Sequence, residues 1–222
     1  ALSTRLNDAV NVVRLDAALA AEFLDESGKP HTAGTVVTNP DLALTLSKVR
    51  LDADKGFYTG ETANRLAAYS AAQGGAVTLG ELAGAGDMQG PAQTRRVGSL
   101  DAWIPGSRTG AGAFSSTLLD NLERARAGGQ SGETAVMAAA RQTLTHFGVS
   151  SLPRDMGSTG FAAIDAKGQA AACGVTLNGP FGSGRTAEGT GVTLAASPAA
   201  GQNGLAAAFL TPLIATSSGD VT

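Results

Sequence analysis

Hydrophobic positions in the first two thirds of the chain recur at helical spacing. In "LSTRLNDAVNVVRLDAALAAEFL" the apolar residues Leu6, Val10, Val13, Ala17 and Leu24 predict one amphipathic helix, closed by the turn residues of "DESGKP". "TNPDLALTLSKVRL" predicts a second helix. Asn39 serves as its N-cap, Pro40 stands at its first position, and the helix carries Leu42, Leu46 and Val49. "ETANRLAAYSAAQGG" is a helix stopped by Gly74 and Gly75. In "TLGELAG", Thr78 and Glu81 stand in capping-box register. Residues 84–100 read as a loop and an edge strand through "TRRVGSL". Two further helices follow, "GAGAFSSTLLDNLERARA", with Phe114, Leu118, Leu119 and Leu122 on one side, and "GETAVMAAARQTLTHFG".

The period changes after Pro153. "STGFAAIDAKGQAAACGVTLN" predicts a buried hairpin, strand–turn–strand, with Asp165 to Gly168 as the connection and Cys173 as a small buried residue. "GTGVTLAAS" and "AAAFLTPLIATSS" supply further strands. Helices first and strands afterwards predict an α+β fold, not alternating βαβ units.

Composition narrows the chemistry. The chain has 222 residues, 43% hydrophobic and 16% charged, with a net charge of −3, which is the profile of a globular protein. Its 16 basic residues are scattered, so no nucleic-acid partner is expected. No apolar run approaches the roughly 18 residues of a membrane span. Two histidines and one cysteine cannot assemble the usual zinc ligand sets, so no metal and no cofactor are expected. Trp103 reads as a packing anchor. The glycines of "RTGAGAFSS" read as close-packing positions, and those of "GPFGSGR" as a shaped loop without the Lys of a phosphate cradle.

Ser158 and Thr159 open the hairpin. A hydroxyl nucleophile needs a base, and an N-terminal serine or threonine has one in its own α-amine, whose pKa lies at about 7.7–8.0. That solution suits a chain whose histidines, His31 and His146, lie in a turn and near a helix end. The other reading of the pair is a turn cap.

The motifs that follow resemble those of the γ-glutamyltransferases, members of the N-terminal-nucleophile (Ntn) hydrolases. Asp165-x-x-Gly168, Thr176-Leu177-Asn178 and Phe181-Gly182-x-Gly184 occur in the family's order. "TNPDLALTLSKV", "GFYTGETANRLAAYSAAQGGAVTLGELA" and "GAGAFSSTLLDNL" resemble its large subunit. The resemblance implies an Ntn-hydrolase-like αββα sandwich. Residues 1–157 would be the large-subunit-like helical segment and 158–222 the small-subunit-like β segment of one domain. It also implies self-cleavage before the nucleophile, then acyl transfer or hydrolysis of a small γ-glutamyl or related amide such as glutathione. Ser158 falls at the nucleophile position; a one-residue shift gives Thr159. Thr176 matches the supporting hydroxyl, Asn178 a contact to the substrate's amino end, and Gly182 and Gly184 the substrate-side loop.

Relatives are exported and longer, so the chain is expected to be the middle of such a protein, completed by other segments. Two departures stand out. Gly160 replaces a histidine, and "LAASPAAG" replaces an amide-rich stretch with an Asp pair. They keep open a second expectation, an uncleaved, non-catalytic relative acting as a binding or assembly module.

Overall fold

A computed structural model describes residues 2–85, 90–106, 109–150, 157–197 and 211–221. Pro153 and the end of "LAASPAAG" lie outside them. The described residues combine helices and antiparallel sheets, the α+β class that the sequence predicts. They fall into two compact units, residues 1–88 with 179–196 and residues 89–178 with 197–222.

In the first unit the expected opening helix is two, α1 (Leu2–Val13) and α2 (Ala17–Phe23). The break has a local cause. Asp16 leaves the helical conformation, and its Oδ1 accepts the Leu19 N–H at 3.0 Å, satisfying a donor that the helix start would leave open. Packing holds the pair together, because Leu6, Val13, Leu19 and Leu24 form one buried cluster with Phe23 and Phe181 against it. Complete burial of a leucine or valine stabilises by about 1.5–3 kcal/mol.

Helix α3 (Pro40–Asp52) starts as expected, with Pro40 in its first turn and the Asn39 Oδ1 accepting from the Leu42 N–H at 2.9 Å. Its apolar residues are not the ones it buries. Leu46 is 57% exposed, Leu42 and Val49 are half-buried, and the buried residue is Thr45, whose hydroxyl donates to the Thr190 carbonyl at 2.8 Å. A polar tether to the 186–193 segment, and not the leucine stripe, orients this helix. Next come α4 (Lys55–Tyr58), α5 (Gly60–Ala72) and α6 (Leu79–Ala83), the last with both arms of the Thr78–Glu81 capping box formed.

The second unit holds β1 (Gln93–Val97), β2 (Leu100–Ile104), α7 (Gly110–Ala127), α8 (Gly132–His146), β3 (Ser158–Ile164) and β4 (Ala170–Thr176). Strands β5 (Thr186–Ala187) and β6 (Val192–Thr193) belong to the first unit, and β7 (Ile214–Ser217) and β8 (Asp220–Val221) to the second. One antiparallel sheet runs β1-β2-β7-β8. Strand β2, "LDAWI", is not anticipated by the sequence; it turns back from β1 at Gly98, whose φ of +62° suits glycine. Ala102, Ile104 and Leu119 form the core where α7 meets this sheet. Trp103 is no buried anchor: it is 44% exposed, and its indole N–H donates to the Thr216 hydroxyl across the β2–β7 pair at 3.1 Å.

The hairpin of β3 and β4 forms in the expected place, but it is not buried. Phe161 and Ile164 are each 60% exposed, Cys173 is exposed, and among the described residues the two strands pair only with each other. Alternation along a strand fixes which side chains share a face; it does not supply what covers that face.

Its turn is stereochemically explicit. Asp165 Oδ1 accepts from the amides of Lys167 at 2.8 Å and Gln169 at 2.9 Å, and Gly168 has φ +78°. The same device closes α2: Asp25 Oδ1 accepts from Ser27 and Lys29, and Gly28 has φ +73°. An Asp-x-x-Gly run is thus turn chemistry in this chain, whatever else it marks.

Candidate active site

The turn length sets the register Ser158↔Thr176 at the open end of the hairpin. One residue further, the Leu177 N–H donates to the Gly157 carbonyl at 3.0 Å, which continues the ladder by one rung. That bond makes Ser158 and Thr176 a non-hydrogen-bonded backbone pair, the kind whose facing side chains approach most closely. They do meet: the Ser158 hydroxyl donates to Thr176 Oγ1 at 2.7 Å. Thr176 Oγ1 also accepts the Asn178 N–H at 3.0 Å.

Asn178 itself is left-handed, φ +58°, a conformation that asparagine tolerates better than most residues, and its Oδ1 is buried. Gly157, on the other side of the Gly157–Ser158 peptide, is left-handed as well, φ +56°.

Thr159 faces differently. It is paired with Val175, its neighbours in the strand alternate sides, and it is exposed. On the Ser158 side the next rung is Gly160 opposite Gly174, two residues without side chains. The space they leave is part of a shallow depression of ≈ 330 Å³ bordered by Ser158, Thr159, Gly160, Cys173, Gly174, Thr211 and Pro212. Neither the glycine pairing nor Pro212 was singled out from the sequence; the signal for the former was the equal spacing of Gly160 and Gly174 about the Asp165–Gly168 turn.

Gly182 and Gly184 belong to the first unit, so the residues predicted for the site divide between the two units. Both are left-handed, at φ +57° and +64°. A Cβ on Gly182 would meet the Leu194 carbonyl oxygen, and one on Gly184 would lie 2.7 Å from Val12 Cγ1. The loop's amides are engaged internally: Gly182 N–H to Gly179 O, Ser183 N–H to Leu194 O and Gly184 N–H to Phe181 O. This is the bonding of a shaped loop, and it leaves those amides no part in a phosphate cradle. Phe181, also left-handed at φ +57°, is held by its edge contact with Phe23, ring centroids 5.2 Å apart.

At the head of α7, Gly112 packs against the carbonyls of Pro105 and Gly106 while Thr109 caps its N–H at 2.9 Å. Close packing explains Gly112.

Comparison with known proteins bears on the first unit most directly. Residues 1–86 match the family model described as Gamma-glutamyltranspeptidase. This stretch is gamma-glutamyltranspeptidase-like. Its matched residues include the capped start of α3 and the Thr78–Glu81 box, while Ser158, Thr159, Thr176 and Asn178 lie outside them. Among solved structures, that of Helicobacter pylori gamma-glutamyltranspeptidase is similar at 18% identity and a TM-score of 0.48. The likeness covers 64% of this chain and 41% of that one, so the chain spans less than half of that relative's length. No curated protein sequence matches the chain.

The gamma-glutamyltranspeptidase-like segment contains one functional support that sequence reading missed. Asp16 caps α2 with Oδ1 and accepts the Thr186 N–H with Oδ2 at 3.0 Å, while Arg185 donates to the Leu15 carbonyl at 3.2 Å. The glycine-rich loop is therefore tied down at its C-terminal end by the α1–α2 junction. An Asp within the opening helical pattern was the available signal. Its second partner, 170 residues away, was not.

Proposed function

We propose that the chain is γ-glutamyltransferase-like, an acyltransferase or amide hydrolase. In this reading it cleaves itself between Gly157 and Ser158, and the freed Ser158 hydroxyl attacks the amide of a γ-glutamyl compound such as glutathione. The new α-amine takes the hydroxyl proton and returns it to the leaving amine, and water or an acceptor amine releases the acyl group. Thr176 orients the nucleophile, and Asn178 contacts the substrate's amino end.

The observation that supports this reading is the 2.7 Å contact between Ser158 and Thr176 at the head of β3. The exposed placement of Thr159, opposite Val175 and not opposite a hydroxyl, favours Ser158 over it as nucleophile. The test is an intact mass followed by an anilide assay. Fragments of residues 1–157 and 158–222 are expected, with chromophore release from a γ-glutamyl anilide that Ser158→Ala abolishes. Cleavage one residue later transfers the role to Thr159. An uncut chain, inert toward the anilide, overturns the enzymatic reading. The apolar surface of the hairpin, with Phe161 and Ile164 at 60% exposure, would then favour a binding or assembly module on the same scaffold.

A further inference from the structure

The Gly157–Ser158 peptide is held from one side by three consecutive residues. Thr176 Oγ1 receives the Ser158 hydroxyl proton's hydrogen bond at 2.7 Å, the Leu177 N–H reaches the Gly157 carbonyl oxygen at 3.0 Å, and the Asn178 N–H fixes Thr176 Oγ1 at 3.0 Å. We propose that the Leu177 backbone amide is the oxyanion donor of self-cleavage, a catalytic role for a residue not assigned one by the motif. The proposal rests on the reading that the chain cleaves before Ser158.

The chemistry balances with water as the only co-reactant. Ser158 Oγ adds to the Gly157 carbonyl carbon, and the C=O electron pair moves onto the oxygen. The hydroxyl proton leaves along the existing bond to Thr176, whose own hydroxyl proton passes on to the departing Ser158 nitrogen. The C–N bond then breaks, leaving an ester between the Gly157 carboxyl and Ser158 Oγ and a free α-amine. Hydrolysis of the ester yields the Gly157 carboxylate and restores the serine hydroxyl.

Charge builds on one atom in this sequence, the Gly157 oxygen, and the Leu177 N–H already lies on it at 3.0 Å. A hydrogen bond to a charged oxygen is roughly twice as strong as one to a neutral carbonyl, so the same contact stabilises the transition state more than the ground state. It also needs no reorganisation, because the hairpin register sets it before the reaction starts. The left-handed φ of +56° at Gly157 is compatible with this arrangement only at low cost for glycine.

The experiment follows maturation of the full chain by intact mass over time. Leu177→Ala keeps the N–H and is expected to cleave at the wild-type rate. Replacing Leu177 by its α-hydroxy acid, which converts that amide to an ester of the same shape, removes only the donor. Cleavage at Gly157–Ser158 is then expected to slow by about 10²-fold, the usual loss for one oxyanion donor. Leu177→Pro removes the same N–H genetically and is expected to behave alike, with a circular dichroism spectrum unchanged from wild type. If that variant is misfolded, the ester decides alone. Cleavage of the ester chain within threefold of wild type overturns the role of Leu177 while leaving self-cleavage standing. A wild-type chain that never cleaves overturns the parent reading and this one with it.

Discussion

Asp16 is the side chain on which the first unit's local and long-range order meet, and its removal has a calculable cost. It is 7% exposed, and its Oδ1 accepts from Leu19 and its Oδ2 from Thr186, each at 3.0 Å. Asp16→Ala removes an N-cap, worth about 1 kcal/mol. It also leaves the buried Thr186 N–H without an acceptor, a further cost of about 1–3 kcal/mol. The expected loss is about 2–4 kcal/mol. Asp16→Asn keeps one acceptor oxygen but turns an amide N–H₂ toward the other donor, so its loss should fall between wild type and alanine. Hydrogen exchange of the Leu19 and Thr186 amides reads the effect where it arises, whereas Trp103 fluorescence would report the other unit. Asp16→Ala should speed both amides by about 30- to 900-fold, each 1.36 kcal/mol being a factor of ten. The exposed Asp8→Ala serves as control and should change neither. Protection of Thr186 within threefold of wild type in Asp16→Ala would refute the reasoning, because it would mean that the carboxylate does not hold the glycine-rich loop's C-terminal end.

Three further outcomes are expected. Asp165→Ala removes the acceptor for Lys167 and Gln169 in the β3–β4 turn and should destabilise the hairpin by about 1 kcal/mol, read as faster exchange of the strand amides. Gly182→Ala combines a left-handed backbone with a Cβ against the Leu194 carbonyl and should cost about 1–3 kcal/mol, read from a urea melt followed by far-ultraviolet circular dichroism. Burial raises the Glu22 pKa above 4.5, with the Asn39 hydrogen bond opposing it, so the folded state binds the proton more tightly than the unfolded chain. Its contribution is present below the unfolded pKa and is lost as pH rises from there through the folded value. Glu22→Gln, which still offers an oxygen to Asn39 Nδ2, should gain stability relative to wild type between pH 4 and 7; an unchanged difference across that range would sink the assignment.

The sequence alone determined the features whose partners lie within about four residues. Asn39 and Pro40 start α3, Thr78 and Glu81 close a capping box, and Asp165 with Gly168 makes a turn whose length dictates that Ser158 faces Thr176. These are backbone hydrogen bonds captured by neighbouring side chains, so the residue types suffice to read them. The motif order pointing to the gamma-glutamyltranspeptidases was legible in the same way, and residues 1–86 match that family.

Burial was decided elsewhere. The stripe of Leu42, Leu46 and Val49 has correct helical spacing, yet Thr45 faces inward because Thr190, far along the chain, offers it a carbonyl. The hairpin alternates as a buried strand pair should, yet Phe161 and Cys173 on it are exposed. The second partner of Asp16, the Thr186 amide, and the joining of β2 to β7 both involve residues more than a hundred positions distant. Periodicity states which side chains share a face. Only the tertiary structure supplies what that face meets, because burial and long-range hydrogen bonds depend on segments that local spacing does not encode.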